Sequence, residues 1–296
     1  MPADEARRFL EACKVHLIET GWNFSPDTTK VLMLTHNGIA AEQGYRELAR
    51  AFKYPEGFSK KEDDHIAFFA DKLEPASEAY SERRYGDMFA LLDTAAPRLT
   101  SHSEKLKWST AMDKLLAIRE TGTVGQVIDH ILVAGYPRLP DKVLNHERES
   151  MAWAAKEGAE EPELVARIRQ LRSVSYSEVS ALVKFLNGHT PFATKHSVKG
   201  AEFENVLVVL GRGWNKYNFD QFLAWANAPD LVPLDKQEIY ERNRNLLYVC
   251  CSRPTLRLAL LFTQELSPTS LTTLNSWFGA TNVHDVGAGT FPTLNG

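Results

Sequence analysis

The sequence predicts an α/β protein: a parallel sheet flanked by helices, interrupted by an all-helical block that reads as an insertion, with a separate helical domain as the alternative. Three observations carry this reading. First, Lys30–Thr35, Asn205–Leu210 and Arg257–Thr263 are apolar runs of strand length without polar alternation, the pattern of strands buried on both faces. Second, helical periodicity lies beside these runs, as strand–helix units require. Third, residues 60–175 are richer in charge than the rest of the chain, with apolar positions at helical spacing and few β-branched runs.

In chain order, Asp4–Thr20 reads as an amphipathic helix with Phe9, Leu10, Cys13, Leu17 and Ile18 near one face, stopped by Gly21. The strand at Lys30–Thr35 follows the turn Ser25-Pro26-Asp27. Asn37-Gly38 then turns the chain into a helix carrying Tyr45, Leu48 and Phe52. Helices are expected over Glu104–Glu120 and Val124–Val133, and from Pro162 through Leu171, where proline suits the first turn. Ser175-x-x-Glu178 has the form of a capping box ahead of Val179, Leu182, Val183 and Leu186. Gly188 ends that helix. A helix over Asp235–Arg253 is closed by Pro254, and Ser270–Phe278 is closed by Gly279. The expected domains are 1–55 with 176–296, discontinuous, and a helical insertion at 56–175.

The 296 residues carry 34 Lys+Arg against 38 Asp+Glu, a net charge of −4, with 44% hydrophobic and 24% charged residues. This composition excludes disordered, collagen-like and disulfide-scaffold chains, and the length suggests roughly two domains. Mild acidity argues against a generic polyanion binder and leaves room for a narrow nucleic-acid track. The 3 cysteines are too few for a secreted framework and read as reduced thiols of a cytoplasmic protein. No run is long and apolar enough for a membrane span.

Two segments are dense in functional side chains. Thr194-Lys-His196-Ser-Val-Lys199-Gly200-Ala-Glu202-Phe203 precedes the strongest strand. Gly200 permits close backbone approach to a phosphate, Lys199 supplies a point charge, and Thr194 and His196 supply donors. A solvated loop of clustered charges is an equal alternative on composition. The second segment, Glu241 to Arg253, places Arg242, Arg244 and Arg253 near a helix end. Guanidinium groups there suit a phosphate, although cations at a helix C-terminus are favoured in any case.

Taken together and in this order, the two segments resemble motifs V and VI of UvrD/Rep-type DNA helicases. Thr194, His196, Lys199, Gly200, Glu202 and Phe203 match the first motif; Arg244, Leu246, Tyr248, Val249 and Arg253 match the second. Asn245 replaces an arginine and Ser252 a threonine. The strand and turn at Val31–Asn37 resemble the segment after motif IV, with Asn37 retained and Thr35 where an arginine is usual. The resemblance implies a RecA-like fold of the P-loop NTPase type for the α/β part, and an accessory subdomain at the helical insertion. It implies that Glu202 binds the ATP ribose, that Arg253 contacts the γ-phosphate, and that Gly200 and Arg244 belong to the nucleotide site. Thr194, His196, Lys199 and Asn37 are then implied contacts to single-stranded DNA. Trp214 and Tyr217, from an aromatic stretch running to Trp225, are candidates for exposed base stacking.

No Gly-Lys pair occurs in the chain, so the phosphate loop with its lysine and magnesium hydroxyl is missing. The family's metal and water-activating motif is missing too. The sequence therefore reads as the C-terminal half of a motor whose ATP and Mg2+ are held with an N-terminal RecA-like lobe, inactive without it. The alternative is a non-catalytic nucleic-acid-binding or regulatory module. A third reading is a helicase subunit beside a nuclease partner, as in Gabija-type phage defence. Glu62-Asp63-Asp64-His65 reads as a solvated charge run rather than a metal site.

Overall fold

The computed structural model describes residues 3–33, 36–93, 99–154, 160–194, 201–211 and 217–286. They form two compact units, Met1–Ile39 with Gly188–Gly296, and Ala40–Asn187. The second unit is wider at both ends than the expected insertion at 56–175. The reason is local. Helix Arg46–Arg50 and helix Tyr176–Leu186 bind each other, the Leu48 N–H donating to the Glu178 carboxylate at 2.9 Å. Tyr45 also packs on Phe185, with ring centroids 5.8 Å apart.

The first unit is built on four strands: β1 (Thr29–Met33), β2 (Phe192–Thr194), β3 (Phe203–Leu210) and β4 (Pro254–Phe262). All pairings are parallel, in the order β2-β1-β3-β4. β3 is central, and Val206, Leu207, Val208, Val209 and Leu210 are all buried. Both of its faces are therefore covered, which is why its sequence lacks polar alternation. One face packs Leu32, Val206, Val208 and Leu210 against Phe219, Phe222, Leu246, Leu247 and Cys250. These come from helices Phe219–Ala226 and Gln237–Cys251, with Leu274 of helix Pro268–Phe278 beside them. Gly279 ends the last helix at φ +85°, a backbone region glycine adopts without a Cβ penalty.

The second unit is helical. Ser101–Glu104 and Thr123–Gln126 form reciprocal capping boxes at the starts of helices His102–Thr121 and Val124–Ala134. The expected box at Ser175 does not form: its side chain makes no cap bond, and Glu178 is taken by Leu48.

The run at Glu62–His65 is also corrected. Asp63 and His65 are buried, not solvated. Asp63 caps helix Asp64–Phe68, accepting from the N–H groups of His65 and Ile66, and pairs with Arg167. His65 Nε2 meets Glu147 Oε1 at 2.8 Å, and Arg172 donates to Glu147 at 2.6 Å and to Asp129 at 2.8 Å. A buried carboxylate is tolerable only with such partners. Burial raises the Glu147 pKa, but the hydrogen bonds and charges of His65 and Arg172 together outweigh it and hold the carboxyl below its ordinary value.

Candidate functional site

Arg253 stands between the end of helix Gln237–Cys251 and the first residue of β4. Its Nε donates to the Val249 carbonyl at 3.1 Å, closing the helix C-terminus. Its Nη1 donates to the Ala201 carbonyl at 3.3 Å, and its Nη2 to the Ser252 hydroxyl at 2.9 Å. The Phe203 N–H donates to the Arg253 carbonyl at 3.0 Å. One arginine thus ties the helix end, the start of β4 and the segment entering β3 into a single junction. A guanidinium has five N–H donors. The three bonds to described residues leave one N–H on Nη1 and one on Nη2 for an anion.

Glu202 lies in that junction, one residue before β3. It is exposed and makes no ion pair with a described residue. The two residues are therefore at the same edge of the sheet, the N-terminal ends of β3 and β4. Here an arginine is fixed by backbone contacts and a carboxylate faces solvent. That pair suits an anionic group beside hydroxyl donors, the chemistry of a nucleotide's phosphates and ribose.

Arg244 is exposed on the same helix, its guanidinium 5.9 Å over the Tyr240 ring and 4.0 Å from Glu241. It stands more than two turns before Arg253, and no described contact joins them. Arg242 pairs with Glu238. Thr194 ends β2 opposite Met33 of β1, and Asn37 lies in helix His36–Gln43. Both sit at the opposite end of the sheet from Glu202 and Arg253, because all four strands run in one direction. His196, Lys199, Gly200 and Trp214 lie outside the described residues.

Tyr217 is half-buried rather than an exposed ring, stacked on Phe219 at 6.4 Å and 8° and packed against the core. Phe219–Ala226, within the aromatic stretch that follows β3, is a helix capped by Asn218, with Phe219 and Phe222 buried. Lys30, which is not among the sequence-predicted site residues, places its ammonium 5.5 Å from the Phe203 ring centroid. Position 30 opens an apolar run, and only the strand register reveals its neighbour. Cys13 and Cys251 are thiols whose pKa burial pushes up to about 11 and about 12. Among the described residues no group of His, Cys, Asp and Glu could hold a metal ion, and no helix is long and apolar enough to cross a membrane.

No family model matches the chain. A curated protein does: the chain is 31% identical over 112 residues to Gabija protein GajB of Bacillus cereus (strain HuB5-5). The match covers 34% of this chain and 16% of GajB. A region of the chain is thus related to GajB, and the chain spans only a small part of that relative's length.

Proposed function

We propose that this chain supplies the second RecA-like lobe of an ATP-dependent DNA motor of the UvrD/Rep type. The observation that carries the reading is the Arg253 junction, which fixes a guanidinium at the strand edge that also presents Glu202. Helicase relatedness is supported by the paired motifs and by the similarity to a Gabija protein.

The residues present fit part of an ATP site. Arg253 would hold the γ-phosphate through its remaining N–H groups, and Glu202 would accept from the ribose hydroxyls. In phosphoryl transfer such an arginine stabilises charge on the moving group and is worth roughly 10³–10⁵ in rate. The phosphate loop and the Mg2+ ligands belong to a partner lobe, which completes the site. Thr194, His196, Lys199 and Asn37 contact single-stranded DNA in this reading. Thr194 and Glu202 sit at opposite ends of the sheet, so the segment joining them links the DNA side to the nucleotide side.

The test is binding by the chain itself. Fluorescence anisotropy should show single-stranded DNA binding that Thr194→Ala and Asn37→Ala weaken and Arg253→Ala leaves intact. Nucleotide binding should be weak and lost in Arg253→Ala, with no hydrolysis. DNA binding without any nucleotide binding would favour a non-catalytic module instead.

A further inference from the structure

The edge that carries Glu202 and Arg253 holds another charged side chain, Lys30. It is the second residue of β1, and its register partner is Val206. Val206 and Leu32 belong to the apolar face covered by helix Gln237–Cys251, so position 30 belongs to that face as well. The lysine ammonium lies 5.5 Å from the Phe203 ring centroid. Phe203 follows Glu202 directly and is bonded through its N–H to the Arg253 carbonyl. Asn205, not Phe203, is level with Thr29. The Lys30 side chain therefore runs back along the strand toward the N-terminal edge, where the Arg253 junction lies.

An apolar residue would suit this face better. Lys30 is half-buried, and it forms no ion pair with a described residue. Its burial lowers the ammonium pKa, with nearby Asp27 acting in the opposite sense. The Phe203 contact offsets part of what partial desolvation of the cation takes away. The lysine thus adds little to the fold. What it adds is charge: Lys30 joins Arg253 as a cation at this edge, where the carboxylates are those of Glu202, Glu204 and Asp27.

We propose that Lys30 is a second cation of the nucleotide site and binds the phosphate chain of the nucleotide alongside Arg253. This rests on the nucleotide reading above. It assigns Lys30 to the phosphates and not to the base or ribose, because only the phosphates carry the charge that two cations complement.

The experiment titrates the full chain with inorganic tripolyphosphate, MgATP and adenosine, followed by NMR into the millimolar range. Lys30→Gln should weaken tripolyphosphate and ATP by about tenfold or more, the loss of one charge-assisted bond, and leave adenosine unchanged. Lys30→Arg should retain most of the affinity. A second measurement needs no variant: on reductive methylation of the wild-type chain, tripolyphosphate should protect Lys30 and not Lys236. If Lys30→Gln binds tripolyphosphate as the wild type does while Arg253→Ala does not, the Lys30 assignment is overturned and the nucleotide reading stands. If labelling of Lys30 is indifferent to tripolyphosphate, the assignment is likewise overturned. If the wild-type chain binds neither tripolyphosphate nor ATP, both fall together.

Discussion

Arg253 holds structure and offers chemistry through one guanidinium. Its bonds to Val249 and Ala201 fix the helix end against the entry to β3. Arg253→Ala leaves those carbonyls without this donor and should lower the stability of the sheet unit by about 1–2 kcal/mol, read by urea unfolding. Arg253→Lys should not restore nucleotide binding, because a point charge cannot make the forked contacts. Glu147 is the corresponding residue of the helical unit. It is 1% exposed and binds both His65 and Arg172. Glu147→Ala should destabilise by about 3 kcal/mol, toward the low end for a broken buried pair because Arg172 still reaches water. The sign of its pH effect follows from its lowered pKa. The stabilisation is fully present above the ordinary glutamate range and is lost as pH falls through the lower folded-state value. Thermal melts of the wild type should therefore fall more steeply on acidification than those of Glu147→Gln.

At the scale of elements, side-chain caps decide where helices begin. Ser101→Ala and Thr123→Ala each remove the hydroxyl half of a capping box and should cost about 1 kcal/mol. Glu178→Ala should cost about 1–3 kcal/mol by a different route, since it strands the Leu48 N–H of another helix. Melting curves of the three variants would check this ranking. The same contrast shows what can be read from sequence. Ser101 and Thr123 are capped by residues three positions on. Glu178 has the same spacing from Ser175, yet its partner lies far along the chain, and nothing local announces it. Asp63 and His65 read as solvated for the same reason: Glu147, Arg167 and Arg172 are distant in sequence. The runs that became β1 and β3 are legible because burial on both faces removes polar positions; the run that became β4 reads alike, yet this strand ends the described sheet order and is mostly half-buried, with Leu256 exposed. β2, three residues long, is too short to carry any pattern. Of the candidate site, Glu202 and Arg253 were legible as motif residues, but the Ala201 contact that unites them and the Lys30 approach depend on strand register.

At the scale of the whole molecule, parallel strands separate the candidate groups by direction. Thr194 and Asn37 lie toward the strand C-termini, and Glu202, Arg253 and Lys30 toward the N-termini. A nucleotide at one end and a DNA strand at the other would communicate through the sheet unit itself. In the proposed motor the Arg253 edge completes an ATP site formed with a lobe bearing the phosphate loop. The most direct measurement is ATP hydrolysis by this chain together with such a lobe, with and without single-stranded DNA. DNA-stimulated turnover is expected, falling by about 10³-fold or more in Arg253→Ala, with DNA affinity unchanged. Turnover that is indifferent to Arg253, or DNA binding with no turnover in the completed protein, would contradict the proposed motor.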